Sequence, residues 1–247
     1  MTGLLSTQNM RQWIKHSPNP MAKVLFRSLI SIRNFDFPAP KVVYGPLYFA
    51  YQGLNHTLAT ALRIAFWTPI FKSKLSKVGR NLYLYGGLPF TAGPLDIQIG
   101  DKCRISGQTT LTGRSSSKTS PQLILGNNID LGWMSTVAVG SKVILEDNVR
   151  IAGQCFLAGY PGHPMNAKAR ARGFSETENQ VGDIVLKKDV WLGTGVSVMA
   201  GVTIGEGTVV GAASVVTKNL PPNVLAAGNP AKVIRHLREN EVNQGEL

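Results

Sequence analysis

Acidic side chains are scarce in this 247-residue chain: 14 Asp and Glu stand against 26 Lys and Arg, a formal net charge of +12. The deficit is greatest at the start. Asp36 is the only acid among residues 1–77, against ten basic side chains: Arg11, Lys15, Lys23, Arg27, Arg33, Lys41, Arg63, Lys72, Lys74 and Lys77. A surplus of nine charges asks for an anionic partner, lipid headgroups or a polyanionic substrate rather than nucleic acid, unless the segment is simply a solvated face. Cysteine is nearly absent. Cys103 and Cys155 form no CxxC pair, so a disulfide framework is excluded, and two buried free thiols in a reducing, cytoplasmic setting are expected.

Long apolar runs are missing as well. Met1–Gln12 is mixed and polar where a secretory signal would carry an apolar core. The longest apolar stretch, Val42 to Phe71, is broken by Gln52, Asn55, His56 and Arg63, which argues against a spanning helix. Within it Leu47, Tyr51, Leu54, Leu58, Leu62 and Ala65/Phe66 recur at helical spacing, so one amphipathic helix is expected, ended or kinked at Pro69. Its apolar stripe can pack on the protein itself or, with basic flanks, lie at a membrane interface.

Charged residues make up only 16% of the chain while Gly numbers 26, a balance suited to a repetitive β architecture with many tight turns. The repeat is explicit. Leu186, Leu192, Val198, Ile204, Val210 and Val216 fall six apart, and four positions after each of the first five sits a second small or branched residue: Val190, Val196, Val202, Thr208, Ser214. Gly193, Gly205 and Gly211 directly follow ladder residues, as turns require. Shorter runs show the same beat: Val78, Leu84, Phe90; Ile99, Ile105, Leu111; Leu125, Leu131, Val137; Leu145, Ile151, Leu157. A period of six fits neither a helix nor a hairpin sheet. Three short strands per 18-residue turn make a triangular coil, stacked as a parallel β-helix of roughly six coils from Val78 to Leu220 and needing a cap at each end.

The stretch "VWLGTGVSVMAGVTIGEGTVVGAASVVTKNLPPNVLAAGNPAKVIR", Val190–Arg235, with Gly162-His163-Pro164 upstream, resembles the left-handed β-helix acyltransferases built from hexapeptide repeats. The resemblance covers about two thirds of the chain and is most specific at the C-terminal end. It implies an all-β fold: a left-handed parallel β-helix over 78–229 with an inserted loop 158–183, preceded by a basic, partly helical segment 1–77 and followed by a short C-terminal helix and tail, 230–247. The hand is taken from the family, since spacing does not reveal it.

The beat breaks at "FLAGYPGHPMNAKARARGF", Phe156–Phe174, where the sequence leaves the ladder for about twenty residues. Acyl transfer to a hydroxyl needs a base to take the proton as the oxygen attacks a thioester, and imidazole suits that task. Galactoside and maltose acetyltransferases carry their catalytic histidine in the same Gly-His-Pro step, so the resemblance makes His163 the base. By the same likeness Trp191 shapes the pocket, or is only a corner-packing aromatic, and Thr194 or a nearby backbone N–H steadies the oxyanion. Ala212 lets the pantetheine arm of acetyl-CoA approach, while Thr217, Lys218, Lys232 and Arg235 meet its phosphate end. Lys232 and Arg235 can also be read as an exposed basic turn.

The acceptor site does not carry over. The sugar acetyltransferases bind their acceptor with Asn and Asp where this chain aligns Gly132 and Gly140. Asp130, Trp133, Arg170 and Arg172 are the candidates left, with Asp147 close by and Lys168, Arg170 and Arg172 equally readable as solvated. The expected function is acetyl-CoA-dependent O-acetylation of a sugar hydroxyl on a surface polysaccharide or its lipid-linked precursor, by a cytoplasmic homotrimer, with peripheral attachment to the inner face of the membrane where such precursors are assembled. The alternatives are N-acetylation of an amino sugar and a non-catalytic scaffold at the membrane surface. No metal is expected: a three-histidine zinc site is excluded because, of His16, His56, His163 and His236, only His163 lies within the ladder.

Overall fold

The computed structural model describes residues 7–238. The chain divides into two compact units, Met1–Leu54 and Asn55–Leu247. The first begins with helices α1 (Thr7–His16) and α2 (Pro20–Arg33). Asn19 starts α2 by accepting the Met21 N–H at 2.9 Å, and Pro20 occupies a first-turn position where its missing N–H is harmless. Helix α3 (Lys41–Leu62) is the expected amphipathic helix and crosses the boundary between the units, yet it buries none of its residues. Pro69 neither ends the helical path nor leaves it regular. A π turn at Arg63–Trp67 intervenes, with the Thr68 N–H reaching back to the Arg63 carbonyl, before α4 (Thr68–Lys74). Among the described residues, no helix is long and apolar enough to cross a membrane.

The second unit winds three short strands per coil, six times over. The coils are 77–78, 83–85 and 90–92; then 96–99, 104–106 and 110–113; 122–125, 130–131 and 136–139; 142–145, 150–151 and 156–158; 184–186, 191–192 and 197–199; and 203–204, 209–210 and 215–216. The first strands of all coils pair in parallel as one sheet, the second strands as another and the third as another, so the coil has three faces. Register follows the repeat: Leu125 lies against Leu145, Leu145 against Leu186, and Leu186 against Ile204.

The aliphatic ladder is the core. From Ile99 to Val216 every ladder residue is buried, and the second set, Val190, Val196, Val202, Thr208 and Ser214, is buried with it. Both cysteines are free and buried, their sulfurs turned to the Gly126 and Gly193 carbonyls, and burial pushes both thiols up in pKa. Leu192→Ala should cost about 2–5 kcal/mol, because coils above and below fix the walls of the resulting void. Urea unfolding of the two proteins checks this.

Three expectations need correction. In the first coil Phe90 is exposed and pairs with Thr110, while Thr91 pairs with the buried Leu111; the inward position is shifted by one residue. Val78, on the outermost strand, is partly exposed, and Phe71 from α4 is buried in the core, so this unit starts before residue 78. Gly193 and Gly205 are not required for a left-handed turn. A Cβ on Gly193 would fall 2.8 Å from Ala212 N, and one on Gly205 2.4 Å from Pro222 N, so close stacking of the next layer requires them.

The C-terminal helix is not formed at its expected start. After the turn at Asn229-Pro230, which holds a cis peptide bond, Ala231–His236 is a strand running antiparallel to Val224–Gly228 at the end of the second sheet. Adjacent β-branched Val233 and Ile234 suit a strand, and an otherwise open sheet edge supplies the partner. Residues 239–247 of that expectation lie outside the described residues.

Candidate active site

Two insertions leave the coil at the corner between the third and first sheets. The shorter, 114–121, joins the second and third coils; the longer joins the fourth and fifth. The longer is closed at its base, where the Gly182 N–H donates to the Gly159 carbonyl at 3.1 Å. Between these points the chain carries His163, a short helix α5 (Ala167–Ala171) capped by Asn166, and a 3₁₀ turn, Glu178–Gln180. His163 is exposed while Pro164 beside it is buried. Its backbone carbonyl accepts a long hydrogen bond of 3.5 Å from Gln180 Nε2.

A charge cluster invisible to sequence periodicity ties the two insertions together. Arg114 is buried, 3% exposed, and its guanidinium donates to Glu176 and, as a fork, to Glu178 at 2.9 and 2.7 Å. Ser116 Oγ adds a bond to the Glu176 carboxylate at 2.6 Å. Planar fork-to-carboxylate pairing gives direction as well as charge balance. Burial pushes the Glu176 carboxyl up, but hydrogen bonds from Ser116 and Arg114 outweigh it and hold the group below its ordinary pKa. Arg114 also holds Glu178 low by hydrogen bonding, and the two carboxylates in turn hold Arg114 protonated above its ordinary range.

The pH consequence follows from the sign of those shifts. Carboxylates lowered in the folded state stabilise the docked loop fully above the unfolded value of about 4.3, and lose that contribution as pH falls through the lower folded value. Residues 160–181 should therefore gain hydrogen exchange and protease sensitivity below about pH 4, ahead of the coil. Exchange measured peptide by peptide across pH 3 to 7 checks this.

Arg170 was a candidate for acceptor binding, but the structure gives it a local task. Its Nη1 donates to the Pro164 and Met165 carbonyls at 3.0 and 3.1 Å, stapling the turn that carries His163. Arg172 ends α5 with its backbone N–H bonded within the helix, and its side chain is exposed, as is Lys168.

The remaining candidates occupy other places. Trp133, Thr194 and Ala212 share the corner between the second and third sheets, in a hydrogen-bonded column: Gln154 N–H to Trp133 O at 2.8 Å, Gly195 N–H to Gly153 O at 3.0 Å, and Ala213 N–H to Thr194 O at 2.8 Å. Trp133 lies across Gly153, where a Cβ would fall 2.5 Å from its Nε1. Trp191 stands exposed on the second sheet in register with Arg150, and Arg150 with Asp130. Asp130 is paired with Arg104 at 3.3 Å. Lys232 and Arg235 are exposed on the last strand of that sheet, Arg235 opposite Leu225. Thr217 and Lys218 are exposed just after the third strand of the sixth coil, on the same corner as the His163 loop.

One chain therefore does not gather all the expected residues. His163, Thr217 and Lys218 lie at one end of the third sheet; Trp133, Thr194 and Ala212 lie at the other. Asp147 bonds Asn127 at the first-to-second-sheet corner, apart from both. Gly132 and Gly140 are buried, and a Cβ on either would fall within 2.6 and 2.4 Å of the neighbouring coil's backbone, so no acceptor-binding side chain fits there. Among the described residues, no group of three or more His, Cys, Asp or Glu could hold a metal ion.

Comparison with known proteins places the repeat. Residues 183–218 match the family model described as bacterial transferase hexapeptide (six repeats). Galactoside O-acetyltransferase of Escherichia coli is 38% identical to this chain over 117 residues, covering 47% of this chain and 55% of that protein. The chain spans about half the length of the curated relatives it matches, 58% of one and 46% of another. Among solved structures, the N-acyltransferase AntD of Bacillus cereus, in complex with dTDP-4-amino-4,6-dideoxyglucose and coenzyme A, superposes with a TM-score of 0.57 over 70% of this chain and 90% of that one, at 20% identity. At that identity the likeness is one of fold. The matched hexapeptides begin directly where the His163 loop returns to the coil.

Proposed function

We propose that the protein is an acetyl-CoA-dependent O-acetyltransferase acting on a sugar hydroxyl of a surface polysaccharide or its lipid-linked precursor. The observation that carries this reading is His163 itself. It is exposed on a loop that is closed at its base, stapled by Arg170 and tied by Arg114, on the edge of a rigid hexapeptide coil. The imidazole takes the acceptor hydroxyl's proton as that oxygen attacks the thioester carbonyl; the thiolate of coenzyme A leaves and is reprotonated. The 38% identity to galactoside O-acetyltransferase supports the reaction class.

The coenzyme side suits this chemistry in residue type. Ala212 is small and exposed at its corner, and Lys218, Lys232 and Arg235 offer positive charge toward phosphates. Trp191 walls the pocket and Thr194 or a neighbouring N–H faces the oxyanion. One chain holds Thr217 and Lys218 beside His163 but Trp191, Thr194, Ala212, Lys232 and Arg235 on the second sheet and its far corner, and a homotrimer of left-handed coils joins the two sets, the first from one protomer and the second from the next. The enzyme works at the cytoplasmic face of the membrane, attached peripherally.

Acceptor-dependent release of coenzyme A thiol from acetyl-CoA tests the reading. Release with glycans carrying free hydroxyls, and none with acetyl-CoA alone, is expected. Absence of release across neutral, acidic and amino sugars would leave a non-catalytic scaffold. Sedimentation should show three chains; a monomer that still turns over would overturn the shared site.

A further inference from the structure

The α1–α2 hairpin holds a groove of about 440 Å³ that nothing in the acetyl-transfer reading uses. It is lined by Ile14, Phe26 and Leu29 together with three cations, Arg11, Lys15 and Arg33. No acid lines it, and among the described residues none of the three cations is in an ion pair. Such a lining has two needs at once: an anion for the guanidinium and ammonium groups, and apolar matter for the aliphatic and aromatic walls. A diffusible phosphate meets only the first, and a neutral hydrocarbon only the second.

The surroundings repeat the combination. Met21 and Ile32 on α2 are 79% and 72% exposed, and Phe35 and Phe37 just beyond it are also exposed. Helix α3 buries nothing, with Val42, Leu47 and Phe49 in water. Basic helices with large exposed apolar residues, too short or too polar to span, suit the bilayer interface. A second copy of this unit is a poorer occupant, because residues 1–54 carry six basic side chains against one acid, Asp36, and would bring like charge to the groove.

We propose that this groove binds the phosphate headgroup and adjoining acyl chain of an anionic phospholipid, seating the hairpin on an anionic bilayer. Arg11, Lys15 and Arg33 hold the phosphate by charge-assisted hydrogen bonds, while Ile14, Phe26 and Leu29 take the chain. This gives a site to the peripheral attachment proposed above; its test reads vesicle binding alone, so it stands or falls apart from acetyl transfer.

Full-length protein is floated with vesicles of phosphatidylcholine alone or mixed with phosphatidylglycerol. Binding to the mixed vesicles only is expected, weakening as salt rises. R11Q/K15Q/R33Q should weaken it about a hundredfold, each cation contributing roughly fivefold. Leu29→Gln, which keeps all three charges, should weaken it about tenfold. R11K/R33K should retain most of the binding, showing that the triple variant fails through lost charge and not lost folding. Equal binding to neutral vesicles, or an undiminished triple variant, would overturn the proposal. So would self-association that the triple variant abolishes while vesicles go unbound, since that result assigns the groove to a second copy.

Discussion

Replacing His163 with alanine should lower acetyl transfer by about 10²–10⁴-fold while leaving coenzyme A binding unchanged. The size follows from the role. A positioned general base contributes that much by accepting the acceptor's proton in the transition state, and methyl cannot replace it. The selectivity follows from the layout. The coenzyme is held by other side chains, Thr217 and Lys218 beside His163 and Trp191, Thr194, Ala212, Lys232 and Arg235 of the next protomer, all of which the substitution leaves in place. The imidazole is exposed, so the substitution removes no buried packing. Rate is read by thiol release and affinity by calorimetry with coenzyme A. A lost rate with intact binding supports the assignment. Parallel loss of both would make His163 a binding residue, and an unchanged rate would remove it from the chemistry.

Arg114→Met should be the most damaging single change outside the ladder, costing about 3–5 kcal/mol. The penalty arises less from the lost pair than from what remains. Glu176 is buried and would keep a carboxylate whose remaining side-chain partner is Ser116. Replacing both members with apolar groups, R114M/E176L, should recover much of that stability, because no uncompensated charge is left inside. Activity should not recover in step. The double variant loses the fork to Glu178 and with it the brace on the 3₁₀ turn whose Gln180 reaches the His163 backbone. Urea unfolding and turnover on the same set of variants separate the two effects. Full recovery of turnover in the double variant would show that the cluster only stabilises the fold.

Legibility in the sequence tracked the range of the interactions. The inward residues from Ile99 to Val216 could be read because each is fixed by its own position in a repeating strand and by the coil next to it. The three-faced coil and its count followed from that. The first coil misled by one residue at Phe90, where no coil lies on the outer side to enforce register. The last strand misled because Lys232-Val233-Ile234-Arg235 has no period of its own and was settled by an open sheet edge. The loop at His163 could be located by its broken beat, but not what holds it. Arg114 meets Glu176 and Glu178 across 62 and 64 residues, joining two insertions that share a corner only after the coil has formed. Arg170 showed as a charge, while its use on the Pro164 and Met165 carbonyls depends on how the turn folds back.

On the proposed function, His163 drives transfer of an acetyl group from acetyl-CoA to a carbohydrate hydroxyl. Mass spectrometry of glycans incubated with acetyl-CoA and either the native protein or His163→Ala tests it most directly. Glycans should gain acetyl groups removable by mild base with the native protein only. Acetyl groups that resist mild base would place the transfer on nitrogen, and no gain at all, or equal gain with His163→Ala, would remove His163 from the role of base in O-acetylation.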